Sequence, residues 1–298
     1  MKQTIQPTDR EHWLSLRSQD VTSTESSALF GVHEYLTPYE LWHRKKGHGV
    51  PVEENHFMKW GNRLQDPIAY GIAEDNGLKI RKMDEYIRDT ELRIGSSFDF
   101  AIEEDGILEI KNVSERAFET RWKVEGDVIE APLYIEAQVQ HQLLVSGRKF
   151  ALIGALVGGN TVHLIRREPD LEIHERIKEA AKAFWGTVER NEEPAPNFEK
   201  DARFIRQLYS FANPGTVKDA TDDSAIQVYV ENYRQLTDAI KELEKKKDAT
   251  KAALLSLMGD NEKMKGSGWS VSASMIGPCQ VSYEKRAYRD FRITFKKD

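Results

Sequence analysis

The stretch GSSFDFAIEEDGILEIKNV, Gly95 to Val113, narrows the folds open to this chain more than any other. Two runs of alternating character flank an EEDG turn, Glu103 to Gly106, which is the pattern of a β-hairpin. In extended chain, side chains at i and i+2 share a face. Ser97, Asp99 and Ala101 therefore point one way, and Phe98, Phe100 and Ile102 the other. Across the turn, Ile107, Glu109 and Lys111 oppose Leu108 and Ile110. The apolar sets are expected to pack on a core side. Closure at the turn sets Asp99 directly or diagonally across from Glu109, at about 5–8 Å between Cβ atoms.

Two carboxylates that close repel, and each raises the other's pKa unless a cation lies between them. A divalent ion removes that difficulty through oxygen ligands, and magnesium would keep waters that a substrate phosphate can replace. Lys111, two residues beyond Glu109, can reach a metal-bound water, to orient or deprotonate it, or can stabilise charge on a phosphate. The pattern D-x9-E-x-K thus describes a phosphodiester-hydrolysis site on a hairpin. The solvent face of an ordinary strand pair can carry the same three residues, so the surroundings decide.

At 298 residues, the chain has length for one large domain or two modest ones. Its single cysteine, Cys279, excludes an internal disulfide and a thiolate cluster, which fits a reducing cytoplasm. No apolar run approaches the roughly 18 residues of a membrane span, and MKQTIQPTDREHW lacks a signal-peptide core. The net charge of −6 argues only weakly against a nucleic-acid partner, because acids that hold metal count in the same sum. From Asn261 onward the chain is locally basic, with Lys263, Lys265, Lys285, Arg286, Arg289, Arg292, Lys296 and Lys297 against Glu262, Glu284, Asp290 and Asp298.

Helix signals come first. Thr8 with Glu11 forms a capping-box pattern, Thr22 to Thr24 precede ESSALFGV, and Thr37 with Pro38 opens a helix that ends before Gly47. A longer helix spans Asn55 to Gly77, with Pro67 as a possible interruption. KIRKMDEYIRD then alternates as a strand ahead of the hairpin. PLYIEAQVQHQLLVSG reads as a helix ending at Gly147, KFALIGALVGG and TVHLIRRE as a strand pair, and DLEIHERIKEAAKAFWGTVERN as an amphipathic helix capped by Asp170. Residues 1–200 are read as one α/β core. Residues 201–298 are read as a C-terminal extension, a helical hairpin with short strands. There are no internal repeats.

The blocks around the hairpin match a family. The region from Trp13 to Phe198 resembles the phage lambda-type exonuclease family, the YqaJ-like viral recombinases of the PD-(D/E)xK nuclease superfamily. WLSLRSQDVTSTESSALFG is similar to the family's N-terminal block, where an arginine and a hydroxyl residue bind the DNA 5′-phosphate; Arg17 and Thr24, with Ser23 beside it, occupy those places. MKWGNRLQDPIA resembles its W-G-x-x-x-E helix, GSSFDF its S-P-D-G motif, LEIK its L-E-x-K, and YIEAQVQHQLLVSG its Y-x-x-Q-x-Q helix, which gives Gln138 as the site glutamine. The chain departs from the pattern where the helix glutamate falls at Gln65, with Asp66 adjacent, and where Phe98 and Phe100 flank the aspartate. Asp89 lies where the lambda type has an acid, although a turn role explains it better. Gln142 lies one turn beyond Gln138 on the same helix face, as does Tyr134 before it. Trp60 and Trp122 read as packing residues, with Trp122 on a loop able to stack on a base.

The resemblance implies a restriction-endonuclease-like α/β core with a mixed sheet flanked by helices. It implies a magnesium-dependent enzyme, with manganese as substitute, that resects double-stranded DNA from the 5′ end, releases 5′-mononucleotides and leaves 3′ overhangs. Asp99, Glu109 and the Ile110 carbonyl would hold metal, Lys111 and Gln138 would position the attacking water, and Arg17 and Thr24 would anchor the end phosphate. It further implies a single-strand annealing partner, a ring-shaped homo-oligomer (a trimer) and a place in the cytoplasm of a bacterial host. Two other readings stand beside it. One is an endonuclease or Cas4-like nuclease, of which the lack of a cysteine set excludes the iron–sulfur version. The other is a DNA-binding assembly protein with a decayed site, motivated by Gln65.

Overall fold

The computed structural model describes residues 1–49, 54–103, 105–284 and 287–295. Glu104 of the expected turn, and Lys285, Arg286, Lys296, Lys297 and Asp298 of the basic tail, lie outside the described residues. The chain forms two compact units, Met1–Tyr209 and Ser210–Asp298.

The first unit begins with β1 (Lys2–Ile5), α1 (Arg10–Gln19), β2 (Val21–Thr22), α2 (Ser26–Leu29), α3 (Pro38–Lys45) and α4 (His56–Asn76). Strands β3 (Ile80–Lys82), β4 (Tyr86–Asp89), β5 (Ile94–Ser97), β6 (Phe100–Ile102) and β7 (Gly106–Val113) follow. Next come α5 (Glu115–Arg121), β8 (Lys123–Glu125), β9 (Val128–Glu130), α6 (Leu133–Ser146), β10 (Phe150–Val157), β11 (Thr161–Arg167), α7 (Leu171–Glu189) and α8 (Phe198–Leu208).

The hairpin is present. β6 and β7 pair antiparallel with Phe100 opposite Leu108 and Ile102 opposite Gly106, and Asp105 turns the chain at φ 69°. They lie inside a five-stranded sheet ordered β11-β10-β7-β6-β3. β10 runs parallel to β7, a pairing that needs a crossover, and α6 lies within it. The result is a mixed sheet flanked by helices. A four-stranded sheet, β1-β4-β5-β2, adjoins it through the continuous chain from β5 into β6.

Both faces of the five-stranded sheet are covered, which sets aside the solvent-face explanation of Asp99, Glu109 and Lys111. On one face Phe98, Ala101, Ile107 and Ile153 pack with Ile135, Val139 and Leu143 of α6. On the other, Phe100, Ile102, Leu108 and Ile110 pack with Ile68, Ala69 and Ile72 of α4. The charged residues of β7 therefore lie under a helix, not in water.

Local chemistry departs from expectation at several points. Asp9, not Thr8, caps α1 by accepting from the His12 amide at 2.8 Å. α2 is a four-residue turn with no side-chain cap, whereas Thr37 caps α3 and Pro38 opens it. KIRKMDEYIRD is split between β3 and β4, which belong to different sheets. Pro67 lies within α4 without ending it. The boundary between units falls after Tyr209, not at 200, because α8 belongs to the first unit. There Asp201 is fully buried, accepting from the Thr37 hydroxyl and the Asn197 amide, and Phe204 packs edge-on to Tyr39.

The second unit holds α9 (Ser224–Met258), β12 (Lys263–Gly266) and β13 (Trp269–Ser272), with the two strands paired antiparallel. Among its described residues there is one long helix, not a helical hairpin.

Gly95 in β5 sits where any Cβ would overlap the ring of Tyr86, which is fully buried and donates its hydroxyl to Asp20 at 3.1 Å. Because that ring cannot move into solvent, Gly95→Ala is expected to lower stability by about 1–3 kcal/mol, measured by denaturant unfolding.

Candidate active site

β7 presents Glu109 and Lys111 toward α6, and α6 presents Gln138 and Gln142 back toward β7. Glu109 is only 4% exposed. A buried carboxylate survives only if its lone pairs are met. Here Oε1 accepts from Lys111 Nζ at 2.6 Å and from Gln138 Nε2 at 2.7 Å, while Oε2 accepts from Gln142 Nε2 at 2.7 Å. Lys111 also donates to Gln138 Oε1 at 3.1 Å, closing a triangle with Glu109. Burial opposes the ammonium charge, but the Glu109 and Asp99 carboxylates outweigh it and hold the Lys111 pKa above its ordinary value.

Asp99 lies between β5 and β6, one step past the last hairpin rung. Its Oδ2 accepts from the Ile110 amide at 2.8 Å. An extended residue projects its N–H and C=O to the same side, so the Ile110 carbonyl faces this edge as well. Burial and the neighbouring Glu109 carboxylate push the Asp99 pKa up to about 7. The expected convergence of Asp99, Glu109, Lys111 and Gln138 is therefore what the chain builds, and Gln142 joins it by clamping Glu109.

The expected phosphate cradle is only partly brought together. Arg17 Nη2 donates to Thr24 Oγ1 at 3.3 Å, and the guanidinium lies 4.5 Å from the Trp13 ring centre. Ser23 does not share the cradle: it is buried, with its hydroxyl 2.8 Å from that of Ser96. The turn that follows β2 leaves Thr24 exposed and Ser23 buried. Trp13 Nε1 donates to Ser97 Oγ at 2.8 Å, tying α1 to the strand that leads into Asp99.

Lys45 was legible only as a cation in the last turn of α3. It is in fact buried, and its Nζ donates to Glu25 Oε2 at 2.7 Å and to the Arg17 carbonyl at 2.9 Å. Burial works against the Glu25 charge, but the Lys45 and Arg17 cations prevail and hold its pKa below the usual carboxylate range. The pair fixes the loop beneath Arg17 and Thr24. No spacing in the sequence announces it, because Glu25 and Lys45 meet only when α3 docks.

Three accessory candidates fall elsewhere. Asp66 on α4 accepts Lys82 Nζ on both oxygens, at 2.7 and 2.8 Å, and Gln65 precedes it on the same helix, half-buried. Asp89, the last residue of β4, caps the turn that follows. It accepts from the Glu91 and Leu92 amides and from the Met1 amino group, all within 3.2 Å. Trp122 is core, stacked on Phe118 at 5.3 Å, whereas Trp60 is exposed on α4 with Arg63 over its ring, contrary to the packing role expected of it.

The donor set suits a hard divalent cation. Two carboxylates and one backbone carbonyl face one edge, all oxygen, and a cation there would offset both the burial and the Glu109 charge that raise the Asp99 pKa. The described residues hold no group of three His, Cys, Asp or Glu side chains, so waters would have to complete the shell. Without metal, Asp99 takes up its proton at higher pH in the folded chain than in the unfolded one. Its stability contribution is therefore fullest below about pH 4 and is lost as pH rises through about 7. In chelator, Asp99→Asn is expected to raise the melting temperature at pH 8 and to have little effect at pH 4, as followed by calorimetry.

Residues 12–149 match the family model described as a YqaJ-like viral recombinase domain. The protein YqaJ of Bacillus subtilis (strain 168) is 28% identical over 243 residues, covering 79% of this chain and 74% of that protein. A protein of Acanthamoeba polyphaga mimivirus is 27% identical over 150 residues, 46% of this chain and 26% of that protein. Among solved structures, an alkaline exonuclease from Laribacter hongkongensis aligns with a TM-score of 0.48 at 18% identity, covering 66% of this chain and 99% of that one. The span matched to that family model holds Arg17, Asp99, Glu109, Lys111 and Gln138.

Proposed function

We propose that this protein is a magnesium-dependent DNA exonuclease, with manganese as a substitute, that degrades one strand of a duplex from its 5′ end. The observation that carries the reading is the convergence of Asp99, Glu109, Lys111 and Gln138 at one buried edge. The family match over the residues that supply this edge supports it.

Asp99, Glu109 and the Ile110 carbonyl would hold the ion, which when bound supplies Lewis acidity and a water of lowered pKa. Lys111, kept as an ammonium by its two acidic neighbours, donates: it places positive charge beside a phosphate oxygen as negative charge develops there. Gln138 holds that ammonium in place and, with Gln142, keeps the Glu109 carboxylate aimed. Attack of water on the phosphorus breaks the bond to the 3′ oxygen of the terminal nucleotide. The products are a 5′-mononucleotide and a strand that again ends in a 5′-phosphate. Arg17, half-buried on α1, and Thr24, exposed just beyond β2, would bind that renewed phosphate after every cut.

This chemistry leaves a 3′ single strand, the substrate of a single-strand annealing protein, which we take as partner. A ring of subunits, three by resemblance, would keep the duplex enclosed between cuts. Asp66, held by Lys82, would not serve as a further metal ligand without breaking that pair.

Lys111→Ala is expected to reduce nucleotide release from linear duplex in Mg²⁺ by about 100-fold or more while circular dichroism stays unchanged. A rate near that of the parent would remove Lys111 from the chemistry. Polarity is read from duplexes labelled at one terminus: label at the 5′ end should become acid-soluble first. Arg17→Ala should lose most of the preference for a 5′-phosphorylated over a 5′-hydroxyl end. An equal preference in variant and parent would dismiss the cradle.

A further inference from the structure

α9 runs for 35 residues, and Met258 is the one buried residue among those described. From Ile226 to Leu257 its sequence carries positions spaced alternately by three and four, the a/d repeat of a coiled-coil seam. Leu236, Ile240 and Leu243 fill the middle of that seam, and Leu254 and Leu257 its end. Leu236, Ile240, Leu243 and Leu257 are 63%, 54%, 64% and 77% exposed. Toward the start of the helix, the Phe291 ring meets Tyr233 at 5.6 Å, so the C-terminal segment touches the seam there. An apolar stripe of this period and length on an otherwise charged helix is built to meet another helix.

We propose that the seam docks α9 of a second copy of this chain, antiparallel. Charge selects both occupant and direction. The first half of α9, with its cap, carries Asp223, Glu231 and Asp238 against Arg234. The second half carries Lys241, Lys245, Lys246, Lys247 and Lys251 against Glu242, Glu244 and Asp248. An antiparallel pair runs the net-negative half of each copy alongside the net-positive half of the other, with Glu231 and Asp238 on the outer face acting only at longer range. The central layers then match Ile240 with Leu243 of the second copy, and Leu236 with the aliphatic stem of the second copy's Lys247. A parallel pair would instead stack Lys247 on itself and set Lys246 beside the second copy's Lys251, repulsions with no compensating acid at those positions. The pairing stands independently of the catalytic reading, and it can join two rings as readily as two single subunits.

The test uses the full chain. Light scattering is expected to give an even multiple of 34.2 kDa. Combining Leu236→Glu, Ile240→Glu and Leu243→Glu should halve the mass with nucleotide release per chain unchanged. Lys247→Leu, which replaces a charge in the seam without threatening the fold, should lower the dissociation constant of the pair by about 10-fold or more. For direction, a spin label on Ser224→Cys in a Cys279→Ser background should report about 50 Å between copies, since antiparallel helices of this length hold their starts at opposite ends. A separation of about 10 Å, meaning parallel helices, overturns the proposal. So does a single-chain mass, whether another protein or the chain itself covers the seam, and so does an odd multiple indifferent to the seam substitutions.

Discussion

The burial of one carboxylate organises this molecule. Glu109 sits on the middle strand of the five-stranded sheet, beneath a helix, where an unpaired charge would cost more than most single contacts return. Three donors meet it: one from its own strand and two from α6. That requirement fixes how α6 lies across the sheet, since Gln138 and Gln142 must descend on one strand position from successive turns. The apolar residues between them, Val139 and Leu143 among others, then bury the rest of that face.

The same demand concentrates charge at this edge. Once Glu109 is fixed, Asp99 has nowhere to go but beside it, held by the Ile110 amide, and its carboxyl takes on a raised pKa from burial and from that neighbour. Lys111 answers both acids as an ammonium. The site is thus poised in charge: two acids and one cation in a place from which water is largely excluded. A less buried hairpin with the same residues would let solvent screen all three.

A second buried charge arrangement governs the surface that adjoins the site. Lys45 and Glu25, brought together by α3, clamp the loop that carries Thr24 and hold the carbonyl of Arg17. Through Trp13 and Ser97 this region connects to the strand that runs into Asp99. The candidate phosphate-binding pair and the candidate catalytic edge are thus tied together through α1 and β5.

Much of the site was legible in the sequence because hairpin alternation is a local rule. Once the EEDG turn is placed, Asp99, Glu109 and Lys111 must share a face, and the i, i+4 spacing of Gln138 and Gln142 puts them on one side of a helix. Helix caps at Thr37, Asp170 and Gly147, and the glycine turn after Val157, were equally local. The heptad spacing along α9 also stood in the sequence, masked by the lysine run at its centre. Long-range contacts were not legible. Alternation cannot say whether a face meets water or a helix, so the covering of both sheet faces came only from packing. Nor could it separate Ser23 from Thr24, show that Asp89 caps a turn, or reveal that α8 folds back on α3 through Asp201. The sequence by itself determined which groups are available and, along β7 and α6, which face each one takes. The tertiary structure decided which of those faces are dry, and burial turns a common trio of charged residues into a candidate catalytic centre because it removes the water that would screen them.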